Sequence, residues 1–121
     1  MGKKRILVID DDMTILRILE AKMGEAGYEV VCVNSPLEGL IIARREQPDI
    51  IILDIIMPEM NGYDVLKCLK EDPSTQNIPV MMLTIRSMET DVQKGLEMGA
   101  DDYITKPLQT ALLLKRMERL L

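Results

Sequence analysis

Short apolar runs alternate along this chain with longer segments in which apolar residues recur every three or four positions. Uninterrupted runs rich in β-branched residues are typical of strands buried on both faces of a parallel sheet, whereas apolar residues that recur every three or four positions predict amphipathic helices. Each predicted strand is followed by a predicted helix, the last of which runs from Leu108 to Leu121. The predicted strands are Ile6–Ile9, Tyr28–Val33, Ile50–Leu53, Ile78–Leu83 and Tyr103–Ile104.

The order of these elements predicts the architecture. Strand and helix alternate five times with no linker, repeat array or low-complexity tract between them. Parallel strands joined by helices need right-handed crossovers, which put helices on both faces of one sheet. A length of 121 residues matches one ordinary domain. The chain, residues 1–121, is therefore predicted to be a single α/β domain with five parallel strands and five helices.

Polar residues near the helix ends have local roles in this scheme. Asp12 is the predicted cap of the first helix, and either Asn34 or Ser35 is the predicted cap of the second. Asp101 and Asp102 are expected to form a solvated turn and not to bind a ligand. None of these residues is assigned a chemical role.

A second group of polar residues follows the predicted strands. Asp10 and Asp11 follow the first strand, Asp54 the third, Thr84 the fourth and Lys106 the fifth. Because parallel strands end at one edge of a sheet, these residues are expected to converge where open α/β sheets bind ligands. Three carboxylates drawn together repel one another unless a divalent cation or a raised pKa relieves the repulsion, and Mg²⁺ prefers oxygen ligands. The sequence therefore predicts a Mg²⁺ site.

The residues opposite this predicted cation indicate phosphoryl transfer. The Thr84 hydroxyl and the Lys106 ammonium would neutralise the oxygens of a phosphoryl group in transfer. Asp54 is then the nucleophile, because a carboxylate can form an aspartyl phosphate when a metal supplies the charge neutralisation. The simpler alternatives are that Asp54 only caps the turn after its strand and that Thr84 only caps a strand end.

Composition and charge exclude several classes of function. Fifteen Lys and Arg against twenty Asp and Glu give a net charge of −5, which argues against nucleic acid or an anionic membrane as a direct partner. The absence of histidine excludes Ser-His-Asp and Cys-His catalysis and histidine-ligated zinc. Cys32 and Cys68 form no zinc spacing and are expected to be reduced. No apolar segment is long enough to span a membrane and no signal peptide is recognisable, so a cytoplasmic location is expected.

Five separated motifs occur in order along essentially the whole chain. They are Asp10-Asp11, Asp54 with Met57-Pro58 and Gly62, Thr84, Tyr103, and Lys106-Pro107. In combination these motifs resemble the receiver domain of bacterial two-component response regulators. The resemblance implies a flavodoxin-like, doubly wound parallel sheet with strand order 2-1-3-4-5.

The resemblance also implies a function and a set of roles. The domain would be a phosphoacceptor signalling switch that catalyses only its own phosphorylation and dephosphorylation, and not an enzyme acting on other substrates. The phosphoryl group would reach Asp54 from the phosphohistidine of a histidine kinase or phosphotransfer protein. The implied contacts are Mg²⁺ held by Asp11, Asp54 and the backbone carbonyl of Ile56, Asp10 acting through water, Thr84 and Lys106 on the phosphoryl group, and Tyr103 as a rotameric switch.

Two further expectations concern access and output. Ile85 stands where most receivers have a small residue, so Ile85 and its neighbour Arg86 are expected to crowd the approach to Asp54.

In the receiver family the face formed by helix four, strand five and helix five contacts output partners and second copies of the domain, and a homodimer is expected through this face. Asp102 and Arg116 are expected to pair on this face.

Three other interpretations stay open from the sequence. The first is a flavodoxin-like binder of a flavin or other small molecule, although no Gly-rich phosphate loop follows the first strand. The second is a phosphohydrolase with an aspartyl nucleophile, to which Asp10 and Asp12 give a superficial DxD pair, although the chain leaves no room for a cap domain. The third is a degenerate receiver that no longer accepts phosphate.

Overall fold

The chain folds into alternating strands and helices, as its apolar pattern predicts. The computed structural model describes residues 2–55, 57, 60–84, 94–105 and 109–121, except for the side chain of Thr84. No helix in these ranges is long and apolar enough to cross a membrane. The elements are β1 (Arg5–Ile9), α1 (Met13–Glu25), β2 (Glu29–Val33), α2 (Pro36–Glu46), β3 (Ile50–Asp54), α3 (Gly62–Glu71), β4 (Val80–Thr84), the helical segment α4 (94–97), β5 (Asp102–Thr105) and α5 (Thr110–Leu120).

The strands form one sheet, and all neighbouring strands are parallel. Their order is β2-β1-β3-β4-β5, which confirms the flavodoxin-like order. The strand order reverses between β1 and β3, and ligands bind in such sheets at the carboxyl ends beside the reversal. Ile9 of β1 lies opposite Leu53 of β3, so the next residues of the two strands, Asp10 and Asp54, emerge side by side at that edge.

The central strand β3 divides the core into two layers. All of its residues are buried, and its side chains alternate between the two faces of the sheet. Ile51 and Leu53 pack with the buried faces of α2 and α3, whereas Ile50 and Ile52 pack with those of α1 and α5. The aliphatic run that predicted a strand buried on both sides is therefore the centre of the fold.

Side-chain caps fix where three of the helices begin. Asp12 accepts hydrogen bonds from the backbone N–H groups of Thr14 and Ile15, and it caps α1 as predicted. Ser35, one of the two predicted candidates, caps α2. Asn61 caps α3 by accepting a hydrogen bond from the Asp64 N–H at 3.0 Å. These caps begin α1 and α3 immediately after the turns that follow β1 and β3.

Several element boundaries differ from the predicted ones by one or two residues. The fourth strand begins at Val80 and not at Ile78, because the Ile78 N–H is used in a turn and Pro79 has no N–H to donate. The last helix begins at Thr110, and Leu108 lies outside the described residues.

The prediction that Asp101 and Asp102 form a solvated turn is wrong for Asp102, whereas Asp101 precedes β5 and is exposed. Asp101 Oδ2 accepts a hydrogen bond from the Val80 N–H at 2.8 Å and lies 3.8 Å from Lys70 Nζ. Asp102 is the first residue of β5 and is only partly exposed, and Arg116 Nη1 donates to its Oδ1 at 3.0 Å. Both carboxylates therefore join elements that lie far apart in the sequence.

Candidate functional site

Three carboxylates meet at the carboxyl edge of the sheet. Asp10, Asp11 and Asp54 each offer an oxygen, and these oxygens all lie within 4.8 Å of one another. Asp10 and Asp54 are buried, with 0% and 2% of their surface exposed, whereas Asp11 is exposed. Burying carboxylates so close together costs free energy unless a cation or a proton compensates their charge. The convergence expected from the strand ends is therefore observed for these three carboxylates.

The backbone positions Asp10. The Asp10 N–H donates to the Val33 carbonyl of β2 at 3.2 Å, which extends the β1–β2 pairing by one residue. The Asp12 N–H donates to Asp10 Oδ1 at 2.9 Å and so fixes one carboxylate oxygen. Because Asp12 is also the cap of α1, its backbone and side chain join the start of that helix to the acidic turn.

Asp54 is positioned by the sheet on one side and by the start of α3 on the other. It is the last residue of β3 and lies opposite Leu83, and the next residue, Ile55, donates its N–H to the Leu83 carbonyl at 3.1 Å. The Gly62 N–H donates to the Ile55 carbonyl at 2.6 Å. A Cβ at Gly62 would lie 2.7 Å from Ile55 Cα and closer still to the Asp54 carbonyl oxygen. Only glycine lets α3 begin this close to the strand end.

Several residues with predicted roles lie outside the described residues. These are Ile56, whose carbonyl is an expected metal ligand, Lys106, Ile85 and Arg86. The backbone of Thr84 ends β4 and lies opposite Thr105 of β5, so Thr84 is on the same edge as Asp54. The predicted contact of its hydroxyl falls outside the described part of the molecule.

Tyr103, the expected switch, lies in β5 opposite Met82. Its side chain is half-buried and packs against the core layer that contains α2 and α3. The Arg116 guanidinium lies 6.0 Å from the centre of the Tyr103 ring and also donates to the Tyr103 carbonyl at 3.2 Å. The predicted pairing of Arg116 with Asp102 is confirmed, so one arginine on α5 contacts two successive residues of β5.

The structure also shows a contact between α3 and α4 that sequence reasoning missed. Lys94 Nζ lies 4.5 Å from the centre of the Tyr63 ring, within the range of a cation–π interaction. Tyr63 is buried and directly follows Gly62, so this contact joins α4 to the start of α3 beside Asp54. No spacing in the sequence links the two residues, because they belong to different strand–helix units.

The donor set fits a hard divalent cation. Two buried carboxylates and one exposed carboxylate provide several oxygen ligands at a sheet edge where solvent can supply the rest. Mg²⁺ prefers this combination of few carboxylates and water, whereas zinc sites use mainly histidine and cysteine. Asp10, Asp11 and Asp54 are therefore the described residues that would hold such an ion.

Comparison with known protein families gives one match across almost the entire chain. Residues 6–118 match the response regulator receiver domain. Among relatives, the chain is 43% identical over 116 residues to the response regulator PleD of Caulobacter vibrioides, a match that covers 96% of this chain and 26% of PleD. It is 38% identical over 117 residues to the protein PilH of Pseudomonas aeruginosa, with 97% of both chains covered. The chain thus spans about a quarter of PleD and nearly all of PilH.

Solved structures give the same result. The chemotaxis protein CheY4 of Vibrio cholerae superimposes with a TM-score of 0.94 at 30% sequence identity, covering 99% of this chain and 100% of CheY4. A response regulator from Chloroflexus aurantiacus also gives a TM-score of 0.94, at 33% identity. The similarity therefore extends over the complete sheet and the helices around it.

Proposed function

Because this chain belongs to the response regulator receiver domain family, we propose that it accepts a phosphoryl group on Asp54 from a histidine kinase or phosphotransfer protein. One observation carries this proposal, namely the convergence of Asp10, Asp11 and Asp54 within 4.8 Å at the carboxyl edge of the sheet. PleD, one of the relatives named above, is a response regulator, and this favours the switch over the flavin-binding and phosphohydrolase alternatives.

The proposed reaction needs only a positioned carboxylate and charge neutralisation. A carboxylate oxygen of Asp54 attacks phosphorus, the P–N bond of the donor phosphohistidine breaks, and the imidazole leaves with the bond's electron pair. The product is an acyl phosphate on Asp54. The 121 residues contain no histidine, so a donor phosphohistidine must lie outside them. Bound Mg²⁺ would supply charge neutralisation on the phosphoryl oxygens.

The chain's own groups divide this work. Asp11, Asp54 and the Ile56 carbonyl are the proposed direct ligands, and Asp10 is proposed to act through water. The hydrogen bond from the Asp12 N–H fixes Asp10 before any ion binds, and the β3–β4 pairing does the same for the backbone of Asp54. Sites that are organised in advance need less reorganisation during the reaction.

The remaining proposed roles concern recognition and readout. Thr84 and Lys106 are proposed to bind the phosphoryl group, Tyr103 to change rotamer in response, and Ile85 with Arg86 to control access. The proposed output surface is the face of α4, β5 and α5, where Leu96 and Leu112 are exposed. An exposed apolar patch of this kind is a candidate contact for an output partner or for a homodimer.

Labelling with a small phosphodonor tests the proposal. Wild-type protein with Mg²⁺ and acetyl phosphate is expected to gain about 80 Da per phosphoryl group by intact-mass spectrometry. Asp54→Asn should gain nothing, whereas Asp64→Asn, which changes an exposed carboxylate on α3, should be labelled like wild type. Asp11→Asn should shift half-maximal labelling to higher Mg²⁺ concentration. Labelling of Asp54→Asn at the wild-type rate would remove Asp54 from the reaction.

A further inference from the structure

The outer face of α2 exposes apolar side chains that the proposed phosphoryl site does not use. Leu37 and Ile41 are 59% and 61% exposed, the highest values for large apolar residues in the described part of the chain. They stand four residues apart and therefore form one ridge on the helix surface. Exposed apolar residues that lie together on one element usually mark a contact surface.

A groove adjoins this ridge. It has a volume of about 750 Å³ and lies between α2 and α3, with Leu40, Ile41, Cys68 and Leu69 along its apolar part. Its other lining residues come from the last turns of these helices and the turn after α3. Helices in a parallel α/β sheet run opposite to the strands, so the groove lies towards the amino edge of the sheet, away from Asp54.

Charged residues lie at both ends of α2. Glu38 lies in the first turn, and Arg44 and Arg45 lie in the last turn. Arg44 donates to Asp72 at 3.0 Å, whereas Arg45 is two-thirds exposed and only 3.8 Å from its neighbour Glu46. The midpoint between positions 38 and 45 falls next to Ile41. Along α2, Leu37 and Glu38 therefore lie in the first turn, Ile41 at the centre, and Arg45 beside Glu46 in the last turn.

Such a surface is complementary to itself. In an antiparallel, two-fold arrangement of two α2 helices, each Ile41 would lie at the axis and each Arg45 would face Glu38 of a second copy. Two-fold contacts use the same patch on both subunits, and each helix amino end would also lie beside the carboxyl end of the other, which favours the pairing electrostatically. The neighbouring groove between α2 and α3 has room for the apolar ridge of the second helix.

We infer that α2 is a contact surface for a second copy of this chain, formed by antiparallel pairing of Leu37, Ile41, Glu38 and Arg45. This association uses none of the residues assigned to the phosphoryl site, so it is not expected to require phosphorylation of Asp54. It is also separate from the proposed contact through α4, β5 and α5.

A charge-exchange experiment tests the pairing. Sedimentation velocity without Mg²⁺ or phosphodonor, at concentrations up to about 1 mM, should show wild-type monomer and dimer in exchange. Glu38→Arg and Arg45→Glu should each weaken self-association by at least about tenfold, or roughly 1.4 kcal/mol, because like charges then face each other. An equimolar mixture of the two variants, and the double variant, should recover the dimer, because opposite charges face each other again.

Two controls separate this contact from others. Ile41→Glu should abolish the dimer, whereas Ile18→Glu, which changes an exposed apolar residue of α1 on the other face of the sheet, should leave it unchanged. Circular dichroism of every variant checks that the monomer is folded. A wild-type protein that stays monomeric throughout, or a mixture of charge variants that fails to associate, would overturn the inference. Neither result would bear on labelling of Asp54.

Discussion

Replacing Gly62 by alanine tests the closeness of α3 to the acceptor strand. The added Cβ would meet the Asp54 carbonyl oxygen and would lie 2.7 Å from Ile55 Cα. Both neighbours are backbone atoms of a buried strand end, so neither can rotate away as a flexible side chain would. We therefore expect the start of α3 to move and its hydrogen bond from Gly62 N–H to the Ile55 carbonyl to be lost or lengthened.

The magnitude follows from three contributions. Overpacking costs about 1–3 kcal/mol, and loss of one intramolecular hydrogen bond costs about 0.5–1.5 kcal/mol. Alanine has a higher helix propensity than glycine, which returns up to about 1 kcal/mol. The free energy of unfolding of Gly62→Ala should therefore fall by about 2 kcal/mol. With a urea dependence of about 2 kcal/mol/M, the midpoint of unfolding should fall by about 1 M.

Gly24 provides a matched control. It lies within α1, has no positive φ, and would have no atom within 4 Å of an added Cβ. Gly24→Ala should therefore raise the free energy of unfolding by about 0.5–1 kcal/mol through helix propensity alone. Urea unfolding followed by circular dichroism measures both variants. If Gly62→Ala were as stable as Gly24→Ala, the close approach of α3 to Asp54 would not be the reason that position 62 requires glycine.

Three further predictions concern the thiols, the acidic range and access to the acceptor. Burial, followed by the Glu20 carboxylate, raises the pKa of Cys32 to about 11. Iodoacetamide at pH 8 should therefore modify the exposed Cys68 first, and mass spectrometry should show slow alkylation of the Cys68→Ser variant. Hydrogen bonds from the Ser74 N–H and hydroxyl, and after them Arg44, lower the pKa of Asp72. The ionised Asp72 carboxylate therefore stabilises the fold fully above its unfolded-state pKa, and this stabilisation is lost as the pH falls through its folded-state pKa. The stability difference between wild type and Asp72→Asn in urea should accordingly shrink from pH 7 to pH 3, and a constant difference would contradict this. Ile85→Ala should lose the phosphoryl group faster than wild type after removal of the donor, whereas equal lifetimes would show that Ile85 does not limit access.

The sheet and the acidic cluster could be predicted because their signals are local. A run of β-branched residues that ends in Asp54 needs no distant partner to be recognised as a buried strand. Alternation of strands and helices predicts that the strands are parallel, whereas their order came from the family resemblance. Once the strands are parallel, their ends converge. Asp10, Asp11 and Asp54 could therefore be placed together from positions in the sequence alone.

The contacts that sequence reasoning missed depend on side chains that meet across the fold. Asp101 and Val80 are 21 residues apart, and nothing near Asp101 indicates that its carboxylate pairs with a strand backbone. The contact of Lys94 with Tyr63 has the same origin. Gly62 was recognisable as a turn residue, but its closeness to the Asp54 carbonyl becomes visible only when α3 is packed against β3.

The positions of the buried carboxylates depend mainly on the backbone. Asp10 is held by the Asp12 N–H and by the Val33 carbonyl, and Asp54 is held by the β3–β4 pairing and by the approach of Gly62. Side chains in the surrounding helices can therefore change without moving the cluster, provided that the turns after β1 and β3 keep their geometry. Because the cluster does not depend on these helix side chains, α2 and the face of α4, β5 and α5 are available for contacts with other proteins. Substitutions on those surfaces should alter association while leaving the chemistry at Asp54 intact, whereas a single methyl group at Gly62 should disturb the acceptor itself.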